Sequence, residues 1–465
     1  MNSLKRGMFS VLIANIINLV LGIVSSFVLP AKLSTETYAM IKTFQLYASY
    51  AGLLHFGFVD GIYLAYGGKE LSSINKKEID QDLSTIRIFQ ALILLIVLAI
   101  GILLKDKIII AFSLSILPAN LVAYFKYLYQ AVGKFQTYSR IMYGTTISYF
   151  ALNMAYLFIL KTDNPYFYIS VYIIVDLAIW IILESLLKKE AYHSFSISNF
   201  SISRLFNNIR SGILLTIGNL SSILLTSMDR WFIKFLMTNV EFAQYSFAVS
   251  MENFLNVAVT PITVTLYNYF CKEDDEEKIH RIRNTVIIFS SLLISVAFPA
   301  KFVIKLFLKK YIASIHVMFI LFGAQLFYIT IKGIYLNIYK ARKQQEKYFT
   351  KLVIVIICGF LLNICCYLVL HIKESFAIGT LASAVIWLVL SSFDIKDIKW
   401  NKNEITYLFF IEAIYLITGL SVNPVIGLLV YVGCVLALSW TLLKTDFIYS
   451  VDFVKDTVFG LLKRK

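Results

Sequence analysis

The sequence predicts an all-α integral membrane protein of about fourteen spanning helices, and three observations carry that reading. Apolar stretches long enough to cross a bilayer tile the chain from Met8 to Leu443, with only short polar breaks. Hydrophobic residues make up 59% of 465 while charged residues are 15%, and the mean hydropathy is +0.75. Lys and Arg, finally, gather on one side of the resulting pattern. A soluble chain of this size has no interior large enough for so much apolar surface, so lipid must be its solvent. The apolar runs are continuous rather than alternating at every second residue, which excludes an outer-membrane barrel.

Each span follows from an apolar run of about 20 residues between polar breaks. The first, near 8–29, follows the basic start Lys5-Arg6. No small-residue cleavage site follows it, so it reads as a retained helix rather than a signal peptide. The next five fall near 37–66, 85–104, 107–131, 139–160 and 165–187. Pro118 lies inside the fourth and is expected to kink it. A polar connector near Lys188–Arg210, rich in Ser and Asn, then carries a short amphipathic helix around Ile202–Ile209 on the inner surface. Six more spans follow near 211–236, 243–270, 284–305, 311–340, 350–370 and 375–392, with Pro261 as a second expected kink. The last two lie near 404–420 and 424–444. Outer loops are short, as at Lys161–Asn164, and inner loops are longer, notably Gly67–Thr85 and Cys271–Asn284. The acidic run Glu273–Glu277 in the latter reads as a solvated loop.

Placing the N-terminus in the cytoplasm puts Lys69, Lys76, Lys77, Lys340, Arg342, Lys343 and Lys347 inside, together with most of the 43 Lys and Arg. The positive-inside rule demands that imbalance. Both termini are therefore expected to be cytoplasmic. Topology accounts for much of the net charge of +15, so no nucleic-acid partner is implied. The five cysteines show no metal-ligand spacing and no disulfide framework.

The chain also repeats itself. A shift of 204 places Arg6 on Arg210, Asn15 on Asn219, Tyr38 on Phe242, Ala39 on Ala243 and Gly57 on Pro261. A shift of 210 places Tyr129 on Tyr339, Ala131 on Ala341, Tyr138 on Tyr348 and Asn153 on Asn363. The shift carries each of the first six helices onto one of the next six in the same orientation, which makes the repeat parallel. The expected organisation is an N-lobe over 1–190, a cytoplasmic connector over 191–210 and a C-lobe over 211–395. The last two helices and a cytoplasmic tail occupy 396–465.

Charges inside spans point to function by default. Asp176 is central in the sixth helix and Glu412 in the thirteenth. Asp176 reads as a cavity or partnered residue, and Glu412 as a structural pairing. Asp229, Arg230 and Lys234 stand near the outer end of the seventh helix, with the two cations one turn apart on one face. Lys234 snorkels to the outer headgroups or joins a cavity wall. Arg230 suits the wall, because its planar fork grips phosphate with two hydrogen bonds. Lys42 lies about 7–8 Å inside the outer end of the second helix by the rise per residue. Lys126 and Lys332 lie toward the inner ends of the fourth and tenth helices, Lys332 about 12 Å deep. These cations either converge on one anion-binding chamber or snorkel independently. Tyr124, Tyr127 and Tyr129 beside Lys126 either stack on sugar faces or pack in the core. His55 and His316 read as core residues. No phosphate loop, paired carboxylates at glycosidase spacing, Ser/His pair or metal-ligand set is found, so neither an enzyme site nor a cofactor is expected.

Two stretches resemble the polysaccharide flippases, the Wzx-type branch of the multidrug/oligosaccharidyl-lipid/polysaccharide exporters. One begins at Ser227 and holds Asp229-Arg230, then Phe242, Ala243, Tyr245 and Ser246 at the start of helix eight. Its companion runs from Thr35 to Lys69 and includes the Gly-Phe-Val-Asp-Gly turn with Asp60 and Gly61. The resemblance implies a two-lobed, V-shaped, MATE-like bundle that moves an undecaprenyl-pyrophosphate-linked oligosaccharide across the bacterial cytoplasmic membrane. It implies alternating access driven by an H+ or Na+ gradient, with polysaccharide polymerase machinery as a further partner. On that analogy Arg230, Lys42, Lys126, Lys332 and Lys234 contact pyrophosphate. Asp176, Asp60, Asp229 and Glu252 are then the acids that couple ions or hold structure. Only Asp229-Arg230 is carried over by the motif, and the remaining assignments rest on depth. The alternatives are a MATE-like multidrug or cation antiporter, a lipid flippase for peptidoglycan precursors or teichoic polymers, which is closer in mechanism, and, from a different class, a membrane glycan polymerase or ligase. Against the antiporter, Met8–Leu29 lacks an acid; against the polymerase, the outer loops are short.

Overall fold

A computed structural model describes residues 2–191, 199–255, 259, 263, 266–267, 269–271, 275–395 and 398–452. Pro261, the Glu273 end of the acidic run, residues 192–198 of the connector and the tail beyond 452 lie outside the described residues. Among the described residues, every regular element is a helix. Ten of these helices are long and apolar enough to cross a membrane, or eleven with one bent helix counted as a span. This is a multi-pass membrane protein, and the count is compatible with fourteen.

The solvent pattern is that of a membrane protein. Phe9, Leu12, Ile16 and Val20 in the first helix are exposed, as are Phe409, Ile417 and Leu429 farther along the chain. Asp82, Gln90, Arg283 and Asn284, by contrast, are wholly buried. Apolar side chains face outward to lipid and polar ones pair inside.

By contacts the chain divides into two compact units, Met1–Ser227 and Met228–Lys465. In the first, α1 (Asn2–Lys32) lies along α6 (Phe135–Met154), and α4 (Lys76–Leu103) along α5 (Lys107–Ala131). Around α5 are also packed α2 (Thr35–Ala48), α3 (Phe58–Tyr66) and α7 (Pro165–Ala191). The expected second span is thus broken in two. Between α2 and α3 the chain makes a tight 3-10 turn, and Phe56 and Gly57 adopt left-handed φ of 52° and 93°. His55 stabilises the break, its Nδ1 accepting from the Gly57 N–H at 3.1 Å. The inner loop expected over Gly67–Thr85 is shorter than that, because Asn75 caps α4 and helix begins at Lys76. Pro118 lies within α5, which continues through it.

The amphipathic connector helix is not separate from the seventh span. Residues 202–209 form the first turns of one long helix, α8 (Ile202–Leu236). Within the first unit its early turns meet α3 at a glycine crossing. A Cβ on Gly61 would sit 2.1 Å from the Asn208 carbonyl oxygen, and one on Gly212 would sit 2.1 Å from that of Gly57. Only hydrogen fits at either position.

In the second unit, α12 (Ile315–Thr330) is the axis, with almost every side chain buried. It contacts α9 (Asn239–Glu252), α10 (Glu276–Ile294), α15 (Glu374–Asp394) and α16 (Lys402–Ser421). Asp275 caps α10, so the last acids of the run are its cap and first turn, and the loop expected over Cys271–Asn284 is shorter than that. A π-helical turn, Ile331–Tyr335, joins α12 to α13 (Leu336–Ala341). Beside these, α14 (Gln345–Leu370) lies along α15, and α17 (Pro424–Leu442) touches both α16 and α11 (Ala297–Phe307).

The duplication is visible in the elements themselves. Helices α2 and α9 start and stop 204 positions apart, each behind a hydroxyl cap, Ser34 and Thr238. Helices α5 and α13 end, and α6 and α14 begin, 210 positions apart. The matched Tyr129 and Tyr339, and Asn153 and Asn363, are all buried.

Candidate functional site

Helix α7 places Asp176 in the interior of the first unit, where its carboxylate accepts from the Tyr149 hydroxyl of α6 at 2.6 Å. Lys126 of α5 is near enough to act on Asp176 electrostatically. Tyr172, one turn before Asp176, packs with its ring centre 4.9 Å from that of Tyr149 and accepts from the Gln45 amide of α2. Four helices therefore converge on one cation and one acid. Lys42 stands over the Tyr38 ring at 5.3 Å. Asp60 of α3 is elsewhere in the unit, buried and accepting from the Thr216 hydroxyl at 2.6 Å. Its role in this conformation is to hold α8 against α3.

The second unit gathers four charged residues. Asp229 accepts from the Tyr245 hydroxyl at 2.6 Å and from the Arg230 backbone N–H at 2.7 Å. Glu252, the last residue of α9, accepts from the Gln325 amide of α12. Asp229, Arg230 and Lys332 all act on Glu252 electrostatically. Lys332 sits in the π-helical turn with its ammonium 5.7 Å from the centre of the Tyr328 ring. Such turns widen a helix and aim a side chain off the regular face, and they recur at functional sites. The Arg230 Nε is buried with no hydrogen-bond partner among the described residues. Buried donors in folded proteins are normally filled, so an acceptor placed at this Nε would be stabilised.

Lys234 is set apart from these. Its ammonium donates to Asn239 at 3.3 Å and lies 5.5 Å from the Phe242 ring centre, partly exposed at the end of α8. Tyr124 and Tyr129 pack wholly inside the first unit's core, so they are not stacking surfaces, and Tyr127 meets Tyr63 edge-on at 5.8 Å.

Three buried polar clusters were not expected from sequence. Asp82 of α4 accepts from Arg204 of α8 at 2.6 and 2.7 Å, from Asn208 at 3.1 Å and from the Tyr66 hydroxyl. Arg87 pairs with Glu184, which also takes the Trp180 indole N–H at 2.8 Å. Arg283 of α10 pairs with Glu404 at 2.7 Å, and Asn284 ties Glu404 to Asp446 at 2.7 and 2.8 Å. All three join helices through charged residues that the apolar pattern alone assigns to loops or span ends. An Arg five residues after an Asp on α4, both in a segment turning from polar to apolar, was the available signal.

The second unit also contains an apolar cavity of about 940 Å³ lined by Val385, Leu388 and Phe393 of α15, Leu408 and Phe409 of α16, and Phe327. Lys399 and Trp400 lie on its wall. Among the described residues no group of three or more His, Cys, Asp and Glu is placed to hold a metal ion.

No family model and no curated protein matches the chain. Solved structures do. One described as the lipid II flippase MurJ in an inward closed conformation matches at 14% identity with a TM-score of 0.59, over 97% of this chain and 100% of that one. An inward-facing multidrug resistance MATE family transporter of the MOP superfamily matches at 14% identity and 0.54, over 83% and 95%. A mutant of the Vibrio cholerae MATE transporter VcmN matches at 14% and 0.50, over 85% and 98%. At such identity the likeness is one of fold, and the fold is the one that MurJ shares with the MATE transporters.

Proposed function

We propose that this chain is a flippase of the Wzx type, a transporter rather than an enzyme. It moves an undecaprenyl-pyrophosphate-linked oligosaccharide from the inner to the outer leaflet of the bacterial cytoplasmic membrane, for surface polysaccharide synthesis. The observation that carries this reading is the buried Nε of Arg230, unfilled among the described residues, in a membrane helix, with Lys332 and Arg230 both acting on the same acid, Glu252. A diphosphate supplies the paired acceptor oxygens that a guanidinium and an ammonium jointly satisfy. On this reading Arg230 and Lys332 are the main pyrophosphate contacts in the second unit. Lys126 and Lys42 are their counterparts in the first, and Lys234 is an outer, more peripheral contact. The apolar cavity beside α15 and α16 has the chemistry of a prenyl or acyl chain.

Lys126, Lys332 and Arg230 each have an acid within electrostatic reach: Asp176 for Lys126, Glu252 for Lys332, and both Asp229 and Glu252 for Arg230. A substrate phosphate must therefore compete with a carboxylate. Neutralising the acid by H+, or satisfying it by Na+, frees the cation for substrate, and this exchange is the proposed basis of ion coupling. Binding and coupling then share one set of residues, and alternating access needs nothing further at the site. Both termini are proposed to be cytoplasmic, and polymerase machinery is the proposed partner on the outer face.

The second reading is a multidrug or cation antiporter, which the MATE likeness supports. Replacing Arg230 separates the two. Arg230→Ala should remove surface polysaccharide while the protein stays in the membrane at wild-type level; unchanged polysaccharide with altered resistance to toxic cations would favour the antiporter.

A further inference from the structure

Glu412 was expected to be paired, and among the described residues it is not. It sits near the middle of α16, and both carboxyl oxygens are buried with no hydrogen-bond partner. They press on the backbone of α12, where a Cβ on Gly323 would lie 2.1 Å from Oε1. The titratable groups on its own helix and on the two packed against it are Tyr407, Tyr415 and, exposed at the first turn, Lys402 of α16, His316 and Tyr328 of α12, and Tyr431 and Cys434 of α17. Glu404 at the start of α16 is engaged with Arg283. Glu412 in turn acts electrostatically on Tyr415 and Tyr431. Neither bonds to it: among the described residues the Tyr415 hydroxyl has no hydrogen-bond partner, and that of Tyr431 donates to the Ser291 carbonyl at 2.8 Å. Lys301 of α11 is committed to the carbonyls of Gly419 and Val422 at the far end of α16. Among the described residues no cation and no donor reaches the carboxyl.

An ionised carboxylate without partner or water is one of the least tolerated groups in a membrane interior. A neutral carboxyl costs far less to bury, and it fits against Gly323 because that residue has no Cβ. We propose that Glu412 is a proton-binding site, occupied when α16 is closed on α12 and emptied to water when the two helices part. On release the carboxyl O–H bond breaks, the proton passes to water, and the carboxylate stays on α16 in contact with solvent. Glu412 also contributes to the wall of the apolar cavity that reaches Lys399 and Trp400, so the opening needed is a widening of a space already present. The site lies outside the duplicated helices and is separate from the acids beside Lys126, Arg230 and Lys332.

Two arms test this on the full chain, the proton being the probe. The first compares infrared spectra of the protein in liposomes with those of Glu412→Gln, which keeps shape and inserts without a charge. The wild type should show a protonated-carboxyl band that the variant lacks, and that band should fade as pH is raised. Superimposable spectra at every pH would overturn the site. The second arm rests on the flippase reading: surface polysaccharide made by Glu412→Gln should be less sensitive to a protonophore than that of the wild type, the acids beside Lys126, Arg230 and Lys332 keeping the rest, and wild-type sensitivity would overturn a coupling role. Gly323→Ala, which pushes the carboxyl out of its seat, should shift the infrared band while leaving the carboxyl present. If deleting the gene leaves surface polysaccharide unchanged, the flippase reading falls while the infrared arm still decides the proton site.

Discussion

Arg230 and Glu252 show what a single residue contributes here and how a change would be read. Arg230 offers a planar fork with an unfilled donor, and a lysine in its place keeps the charge but not the fork. Arg230→Lys should therefore retain part of the surface polysaccharide and Arg230→Ala essentially none. The loss of a charge-assisted hydrogen bond of about 1.5–3 kcal/mol corresponds to roughly tenfold to a hundredfold in binding. Quantifying surface polymer by antibody or lectin in both variants, normalised to membrane protein level, checks the order. Asp229 and Arg230 were legible as a motif in the sequence. Glu252 was legible only as an acid in a span, and its relation to Lys332 depends on a π-helical turn that no periodicity announces. Glu412 was misread for a comparable reason: sequence shows depth, whereas partners come from helices far along the chain.

Among the elements, hydrophobic runs located the helices well because bilayer thickness fixes their length. They failed where backbone rather than composition decides. The expected span over 37–66 has no polar stretch long enough to mark a break, yet Phe56 and Gly57 turn left-handed and split it into α2 and α3. The second half of the expected loop after Tyr66 is the start of α4, where Asp82 and, just beyond the loop, Arg87 pair inside with Arg204 and Glu184 instead of meeting water. The glycine crossing of α3 and α8 makes a sharp prediction. Gly61→Ala drives a methyl into backbone that cannot yield and should destabilise the protein by about 1–3 kcal/mol, as overpacking does. A thermal melt in detergent should show a lowered Tm, and an unchanged Tm would contradict the crossing. Glu404→Leu leaves the buried Arg283 cation unpaired, a change that typically costs about 3–5 kcal/mol. It should loosen α16 from α10, which limited proteolysis of the membrane-embedded protein would detect as new cleavage near Trp400; wild-type resistance would contradict that role.

Across the molecule as a whole, the duplication was readable in register from polar and aromatic matches, and the elements keep it, with α2 and α9 bounded 204 positions apart. Orientation rests on the distribution of Lys and Arg alone. A phosphatase fused after Lys465 should be inactive, since it would remain in the cytoplasm, and an active fusion would reverse the topology. The glycan of the proposed cargo was not legible at all, because cations proposed to grip pyrophosphate say nothing about the sugars attached to it. If this chain carries a lipid-linked glycan across the bilayer, the leaflet that holds the glycan in a strain lacking the gene reports it directly. Accumulation on the cytoplasmic side and loss of surface polymer are expected, with both reversed by the intact gene but not by Arg230→Ala. An unchanged distribution between leaflets would contradict the transport itself.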